Sequence, residues 1–272
     1  MYVVVDQNVL RKPELVQYLK ENASNCCVLP DAAFLEMTKN EQWESTLVGS
    51  LSHLAQVPER VFAANAVSDA LADELRTLKS VAGHMLWRVA TKSVREVLHW
   101  VRTGTENATL LRMRQSPSHA DAVLRSDYFS HGRNKESIGS LTDAVRRQLP
   151  AEFLDLLRKP ATSNDDCFDA VHQIARSVAY GVLAERGVNK NRARSFISTR
   201  PLFYRYIILH AWYSLDWLRA GGLEAFKEEN ATNELIDHQY ALTATFFDGL
   251  LSIDAKILRA YTALRAIVPR EA

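Results

Sequence analysis

The segment Met1-Tyr2-Val3-Val4-Val5-Asp6-Gln7-Asn8 is a β-branched run that stops at polar residues. Short continuous apolar runs are typical of strands buried on both faces of a parallel sheet. A second run, Cys26-Cys27-Val28-Leu29, stops at Pro30-Asp31, and apolar residues at helical spacing follow each run. Two strand-turn-helix units within residues 1–42 predict an α/β fold with a small parallel sheet.

The last part of the sequence returns to this pattern. Residues 233–245 have helical spacing, Phe247-Asp248-Gly249 has turn chemistry, and residues 250–254 are predicted to form a strand. A final helix is predicted over residues 255–267. The strands at the two ends of the chain are therefore expected to meet in one sheet.

The middle of the chain, residues 43–230, has long helical periodicities. We interpret it as an all-helical insertion that serves as a substrate or partner module, and residues 1–42 and 231–272 as a discontinuous core. Helices are predicted over residues 61–78, 82–101, 140–157, 167–184 and 201–218. Breakers are predicted at Gly104, Ser116-Pro117-Ser118, His131-Gly132, Pro160 and Gly221-Gly222.

The overall charge excludes a strong global attraction for polyanions. Lys and Arg number 33 against 32 Asp and Glu, a net charge of +1, so any affinity for nucleic acid must come from a local patch. The sequence shows neither a signal peptide nor an apolar stretch long enough to span a membrane, and predicts a cytoplasmic protein. The 3 cysteines are predicted to be buried thiols.

Four acidic residues occupy related places in this pattern: Asp6, Glu36, Asp237 and Asp254 end a predicted strand or lie on a helix beside one. Side chains at the carboxyl ends of parallel strands converge. Clustered carboxylates repel one another unless a divalent cation neutralises them, and Mg²⁺ and Mn²⁺ prefer such oxygen ligands. A site of this kind is suited to metal-assisted phosphodiester hydrolysis.

The same segments resemble those of the PIN-domain nucleases. Val3 to Leu10 is similar to the opening strand of that family, with Asp-x-Asn after an apolar run. Leu29-Pro30 followed by Phe34-Leu35-Glu36 resembles its second element, and residues 233–237 with Leu251-Ser252-Ile253-Asp254 resemble its closing half. The long helical middle departs from compact members of the family.

The resemblance implies that the four acidic residues bind Mg²⁺ or Mn²⁺ and are catalytic, with Asn8 and Ser252 in support. Asn233 shares a helix face with Asp237. Glu234 is the substitute if the register of this helix is misplaced. Asp248 is either a further acid of the site or a turn residue. Taken singly, the acidic residues also fit ordinary places, such as an N-cap for Asp254.

Basic residues with interleaved aromatics offer a nucleic-acid surface. The predicted binding residues are Arg192, Arg194, Arg200 and Arg205, although a solvated helix face explains them equally well. A weaker second set is Arg88, Lys92, Arg95, Arg102, Arg112 and Arg114. The tryptophans Trp87, Trp100, Trp212 and Trp217 are predicted to be core residues.

The resemblance thus predicts a metal-dependent endoribonuclease that acts on an RNA such as a tRNA or mRNA. By analogy with the family, it implies a toxin-like or antiviral role and a partner protein that inhibits or activates the enzyme. No membrane is expected, and a homo-oligomer is left open. The alternatives are a non-catalytic helical scaffold that binds RNA or protein, and a structure-specific DNA nuclease.

Overall fold

A computed structural model describes residues 1–39, 41–115, 131–157, 164–219 and 227–268. It is an α/β protein, mostly helical, with one sheet of 4 parallel strands in the order β3-β2-β1-β4. The predicted fold class is confirmed at this level. The strands are β1 (Tyr2–Val5), β2 (Cys26–Leu29), β3 (Val61–Ala63) and β4 (Gly249–Leu251).

The first helices alternate with the strands and cover the sheet. Continuous apolar residues bury β1 and β2 on both faces, and Val4, Val5 and Cys27 are fully buried. Pro13 in the first turn starts the second helix. These helices are α1 (Gln7–Leu10), α2 (Pro13–Glu21), α3 (Asp31–Thr38), α4 (Trp43–Leu51), α5 (Val67–Thr77), α6 (Arg88–Thr103) and α7 (Ala108–Gln115).

The remaining helices form most of the rest of the described chain. They are α8 (His131–Gln148), α9 (Ala151–Leu157), α10 (Asn164–Glu185), α11 (Lys190–Ser198), α12 (Leu202–Arg219), α13 (Glu228–Ala244) and α14 (Ala255–Ile267). Helix α12 packs against α5, α8, α10 and α14. Helix α13 lies on β1, β4 and α3 and so joins the helical part to the sheet.

The order of the strands creates a reversal between β1 and β4. From β1 the chain adds β2 and then β3 on one side, and it returns much later to place β4 on the other side of β1. Val5 pairs with Leu251, and the amide of Asp6 donates to the Leu251 carbonyl at 2.9 Å. Crevices at such reversals, outside the carboxyl ends of the strands, are where open α/β sheets bind ligands.

Strand β3 corrects the predicted division of the chain. Residues 61–63 were expected to begin a helix inside the insertion, but they pair in parallel with β2. The sheet is therefore not formed by residues 1–42 and 231–272 alone. Three apolar residues are too few to show a period, and pairing with the buried β2 decides their conformation.

Two of the predicted breakers can be compared with the structure. Gly104 ends α6 in a left-handed conformation with φ 72°, as glycine does at helix ends. His131-Gly132 was predicted as a break but begins α8, so that prediction is wrong. The breakers at 116–118, 160 and 221–222 lie outside the described residues. None of the described helices combines the length and apolarity that a membrane crossing requires.

Candidate active site

Asp6 lies at the carboxyl end of β1, beside the reversal in the sheet. Its side chain is 2% exposed and caps α1, accepting from the backbone and side-chain amides of Asn8 at 3.4 Å. Ser252, which follows the neighbouring β4, donates its hydroxyl to Asp6 Oδ2 at 2.7 Å. Burial raises the pKa of Asp6, and these hydrogen bonds oppose the rise. The two residues predicted to support Asp6 both contact it.

Glu36 approaches the same place from α3. The buried Tyr240 on α13 donates its hydroxyl to Glu36 Oε2 at 2.6 Å, which fixes the carboxylate. Burial raises the pKa of Glu36, the Tyr240 hydrogen bond lowers it, and the charge of Asp6 raises it further. Tyr240 was not predicted as a site residue, although its position three residues after Asp237 puts both on one face of the helix.

Asp237 on α13 lies among the other acidic residues. Burial raises its pKa to about 8, and the charges of Glu234, Asp254, Glu36 and Asp6 add to the rise in that order. Because the interaction between charges weakens with distance and with screening by solvent, these residues lie near enough to Asp237 to act on its charge. The structure therefore places Asp6, Glu36 and Asp254 near Asp237.

Asp254 is both an N-cap and a member of this group. Its carboxylate accepts from the amides of Lys256 and Ile257 at the start of α14, at 2.6 and 3.2 Å, so the N-cap alternative is correct in geometry. The amide of Asp254 donates to the Ser252 hydroxyl at 2.9 Å. Ser252 thus connects Asp254 to Asp6 through two hydrogen bonds.

Lys256 introduces a positive charge into this acidic region. Its ammonium group forms an ion pair with Glu234 and lies 5.7 Å from the centre of the Tyr213 ring. Burial raises the pKa of Glu234, and Lys256 lowers it. Lys256 was not predicted as a site residue. Its place in the first turn after Asp254 is the signal that would have found it.

Two predicted supporting residues lie elsewhere. Asn233 is exposed, whereas Glu234 is 8% exposed and its charge acts on Asp237, so Glu234 lies beside Asp237 in the acidic group and Asn233 does not. Asp248 precedes β4 and accepts from the amide of Tyr2 at 2.6 Å, at the amino end of β1. Asp248 therefore lies at the opposite end of the strands from Asp6, where it orders a turn.

The predicted basic surface is only partly exposed. Arg192 and Arg194 project from α11 into solvent. Arg205 instead donates to the carbonyls of Arg200 and Thr245 at 2.9 and 2.8 Å, and its guanidinium lies 4.0 Å from the centre of the Phe246 ring. It has a structural role because these contacts hold its polar head inside the fold. Arg200 is half-buried with φ 47°.

The donor atoms of the acidic group suit a hard divalent cation. Carboxylate and hydroxyl oxygens are the ligands that Mg²⁺ and Mn²⁺ prefer. Within the described residues, no three His, Cys, Asp or Glu side chains are arranged to enclose a metal ion. Mg²⁺ commonly keeps several waters and takes only one or two carboxylates. The donor atoms therefore match the chemistry of such an ion, but the described residues show no closed cage for one.

Comparison with known proteins finds no matching family model, curated protein or solved structure.

Proposed function

We propose that this chain is a PIN-like, metal-dependent endoribonuclease that hydrolyses RNA phosphodiester bonds. The observation that carries the proposal is the position of Asp237 among Glu234, Asp254, Glu36 and Asp6, where burial first and these negative charges second raise its pKa to about 8. Such perturbed pKa values are common at functional sites. Repulsion among carboxylates costs free energy. A divalent cation relieves it.

The proposed metal-holding residues are Asp6, Glu36, Asp237 and Asp254, bonded to the ion directly or through its waters. When bound, a divalent ion supplies an activated water and stabilises the charge that builds on the scissile phosphate. Ser252 and Asn8 orient Asp6, and Tyr240 orients Glu36, through the hydrogen bonds described above. Such support keeps carboxylates in the geometry that a metal needs.

Asp237 has a distinct part in this proposal. With its pKa raised to about 8, its carboxyl group keeps a proton at neutral pH when no cation is present. Binding of a cation would displace that proton and make all four acids anionic. Lys256, paired with Glu234, limits the negative charge on the side of the site nearest α14.

The preference for RNA rests on the resemblance to PIN-domain nucleases, as does a toxin-like or antiviral role under the control of a partner protein. The helical part of the chain would position the substrate. A DNA nuclease and a non-catalytic scaffold are the outcomes that an activity measurement separates from this proposal.

The proposal is tested with purified protein, a mixed RNA pool and a matched pool of single- and double-stranded DNA. Cleavage of RNA is expected with Mg²⁺ or Mn²⁺, and loss of cleavage with EDTA or in Asp6→Asn. Asp143→Asn, which changes an exposed acid on α8, is the matched control. Cleavage of DNA alone would favour the DNA nuclease. Absence of cleavage from both pools would favour the non-catalytic scaffold.

A further inference from the structure

A groove lies beside β3, the outer strand of the sheet, and α6. The residues that matter for its chemistry are Phe62, Asn65, Trp87, Arg88, Lys92 and Arg95. We call it the edge groove. It lies outside the group of carboxylates described above, and it combines an exposed indole with several cations.

Trp87 supplies a large flat surface to the edge groove. It was predicted to be a core residue, but its side chain is 43% exposed. The reason is local: α6 begins at Arg88, so Trp87 occupies the N-cap position rather than the apolar face of the helix. The Trp87 amide donates to the Ala63 carbonyl at 3.0 Å, which anchors its backbone to the end of β3. The indole is therefore exposed on a fixed backbone.

The cations of the edge groove are arranged along α6. Arg88 and Lys92 lie one turn apart and are exposed, and neither forms an ion pair with a residue in the described part of the chain. Arg95 is held in place, donating to the carbonyls of Val61 and Glu59 at 3.3 and 3.1 Å. Its guanidinium also lies 5.0 Å from the centre of the Phe62 ring.

Glu96 is the acidic residue that lines the edge groove, and its carboxylate accepts a hydrogen bond from the Thr109 hydroxyl. With three cations against this one carboxylate, the groove is positively charged although the whole chain is nearly neutral. An exposed aromatic ring beside unpaired cations is the combination by which proteins bind single-stranded nucleic acids, through base stacking and phosphate contacts.

The edge groove is also well placed relative to the candidate active site. Asn65 follows the carboxyl end of β3, and Asp6 follows the carboxyl end of β1. Because the strands are parallel, both residues lie at the same end of the strands. Only β2 separates the two strands, so two strand spacings, about 10 Å, divide the ends of β3 and β1. A strand of nucleic acid lying in the groove would thus lead toward the acidic group.

We propose that the edge groove binds a single-stranded segment of the RNA substrate. One base stacks on Trp87, and Arg88 and Lys92 contact the phosphates on either side. The assignment of the segment as substrate rests on the proposed nuclease function, whereas the binding itself does not require cleavage. Base stacking on Trp87 and phosphate contacts with Arg88 and Lys92 contribute separately to the binding affinity, so variants can distinguish them.

Binding is measured with a short fluorescein-labelled oligouridylate and the full chain in EDTA, so that cleavage does not interfere. Trp87→Ala is expected to weaken binding about tenfold, and Trp87→Phe, which keeps a ring, much less. Arg88→Ala with Lys92→Ala is expected to weaken binding. It should also make the slope of log K against log salt concentration shallower by about 0.7 for each lost phosphate contact. Arg146→Ala with Arg147→Ala, two exposed changes on α8 outside the groove, is the matched control.

Each outcome bears on the edge groove separately from the nuclease proposal. Weaker binding by the groove variants but not by the Arg146→Ala, Arg147→Ala control supports the groove even if no RNA is ever cleaved. Equal binding by the wild type and the groove variants overturns it, even if cleavage depends on Asp6. Binding of a poly-glutamate peptide as tightly as the oligouridylate, with no effect of Trp87→Ala, would identify a site for acidic peptides and also overturn it.

Discussion

Two acids in this chain, the fully buried Glu74 and the half-buried Asp237, have opposite surroundings. Glu74 on α5 is fully buried, and its carboxylate accepts from the amides of Val81, Leu202 and Phe203 at 2.8–2.9 Å. Within the described residues no hydrogen bond reaches the carboxylate of Asp237, and the charges that act on this carboxylate are negative. Burial raises the pKa of both groups.

The difference teaches how a structural acid is told from a candidate functional one. Three backbone donors stabilise the charged form of Glu74, and two of them, Leu202 and Phe203, connect α5 to the first turn of α12. Nothing of this kind compensates Asp237, whose charge is instead opposed by other carboxylates. A half-buried acid that receives no donor from its own fold and lies among other carboxylates is the better candidate for binding a cation.

The strongest test of this comparison is activity. Asp237→Asn is expected to reduce metal-dependent RNA cleavage about a thousandfold or more, because a metal-holding group contributes several kcal/mol to transition-state stabilisation. Glu74→Gln should leave the rate per folded molecule within a factor of about two. Initial rates are measured on the folded fraction of each variant. Equal losses in both variants would remove the distinction.

Stability should show the reverse order. Glu74→Ala leaves three buried amide donors without an acceptor, and each such group costs about 1–3 kcal/mol, so a loss of about 3 kcal/mol or more is expected. Denaturant unfolding of both variants in EDTA measures it. Asp237→Asn should unfold at the same denaturant concentration as the wild type or a higher one. A large destabilisation by Asp237→Asn would assign that residue to the fold.

The dependence of stability on pH sharpens the same contrast. Asp237 has a pKa of about 8 in the folded chain against an ordinary 3.8, so the folded state holds the proton more tightly. Without metal, the stabilisation from this proton is complete below about pH 4 and is lost as the pH rises through about 8. Thermal unfolding in EDTA should therefore show stability falling over this window, less steeply in Asp237→Asn.

Added Mg²⁺ or Mn²⁺ should offset this loss. Because the cation competes with the Asp237 proton, the rise in Tm caused by the metal should grow with pH up to about 8. The control is Asp237→Asn, in which that competition is absent. A metal effect that is equal at all pH values in the wild type would contradict the assignment of Asp237 as a ligand.

The smallest expected effect concerns the hydroxyl that orients Glu36. Tyr240→Phe removes one hydrogen bond and keeps the buried ring, so we expect a stability change of about 1 kcal/mol or less. Cleavage should fall about tenfold, the low end of the range for lost outer contacts of a metal site. Tyr206→Phe, on α12, is the matched tyrosine control. Unchanged cleavage in Tyr240→Phe would show that Glu36 needs no such support.

The sequence predicted those parts of the fold whose residues act locally. Strands β1 and β2 were predicted with their observed bounds because a continuous apolar run permits little else, and α14 because Asp254 provides an N-cap. The association of Asp6 with Asp254 followed from the rule that parallel strands end at one edge. Each of these predictions needed only a pattern and a general constraint.

The remaining features depend on contacts between distant segments. The conformation of β3 is decided by pairing with β2, and the role of Arg205 by the carbonyl of Thr245, 40 residues away. The choice between Asn233 and Glu234 depends on how α13 rotates over the sheet, which Lys256 and the buried surface settle. Neither spacing nor composition contains that information.

The distance along the chain between the halves of the acidic group has a consequence for synthesis. Asp6 and Glu36 leave the ribosome before Asp237, which follows Glu36 by 201 residues. At about 5–20 residues per second, roughly 10–40 s pass between them. During that interval the growing chain has no β4 to pair with β1 and only part of its carboxylates. An acidic group that needs residues from both parts of the chain is therefore complete only after Asp237 has been synthesised and β4 has paired with β1.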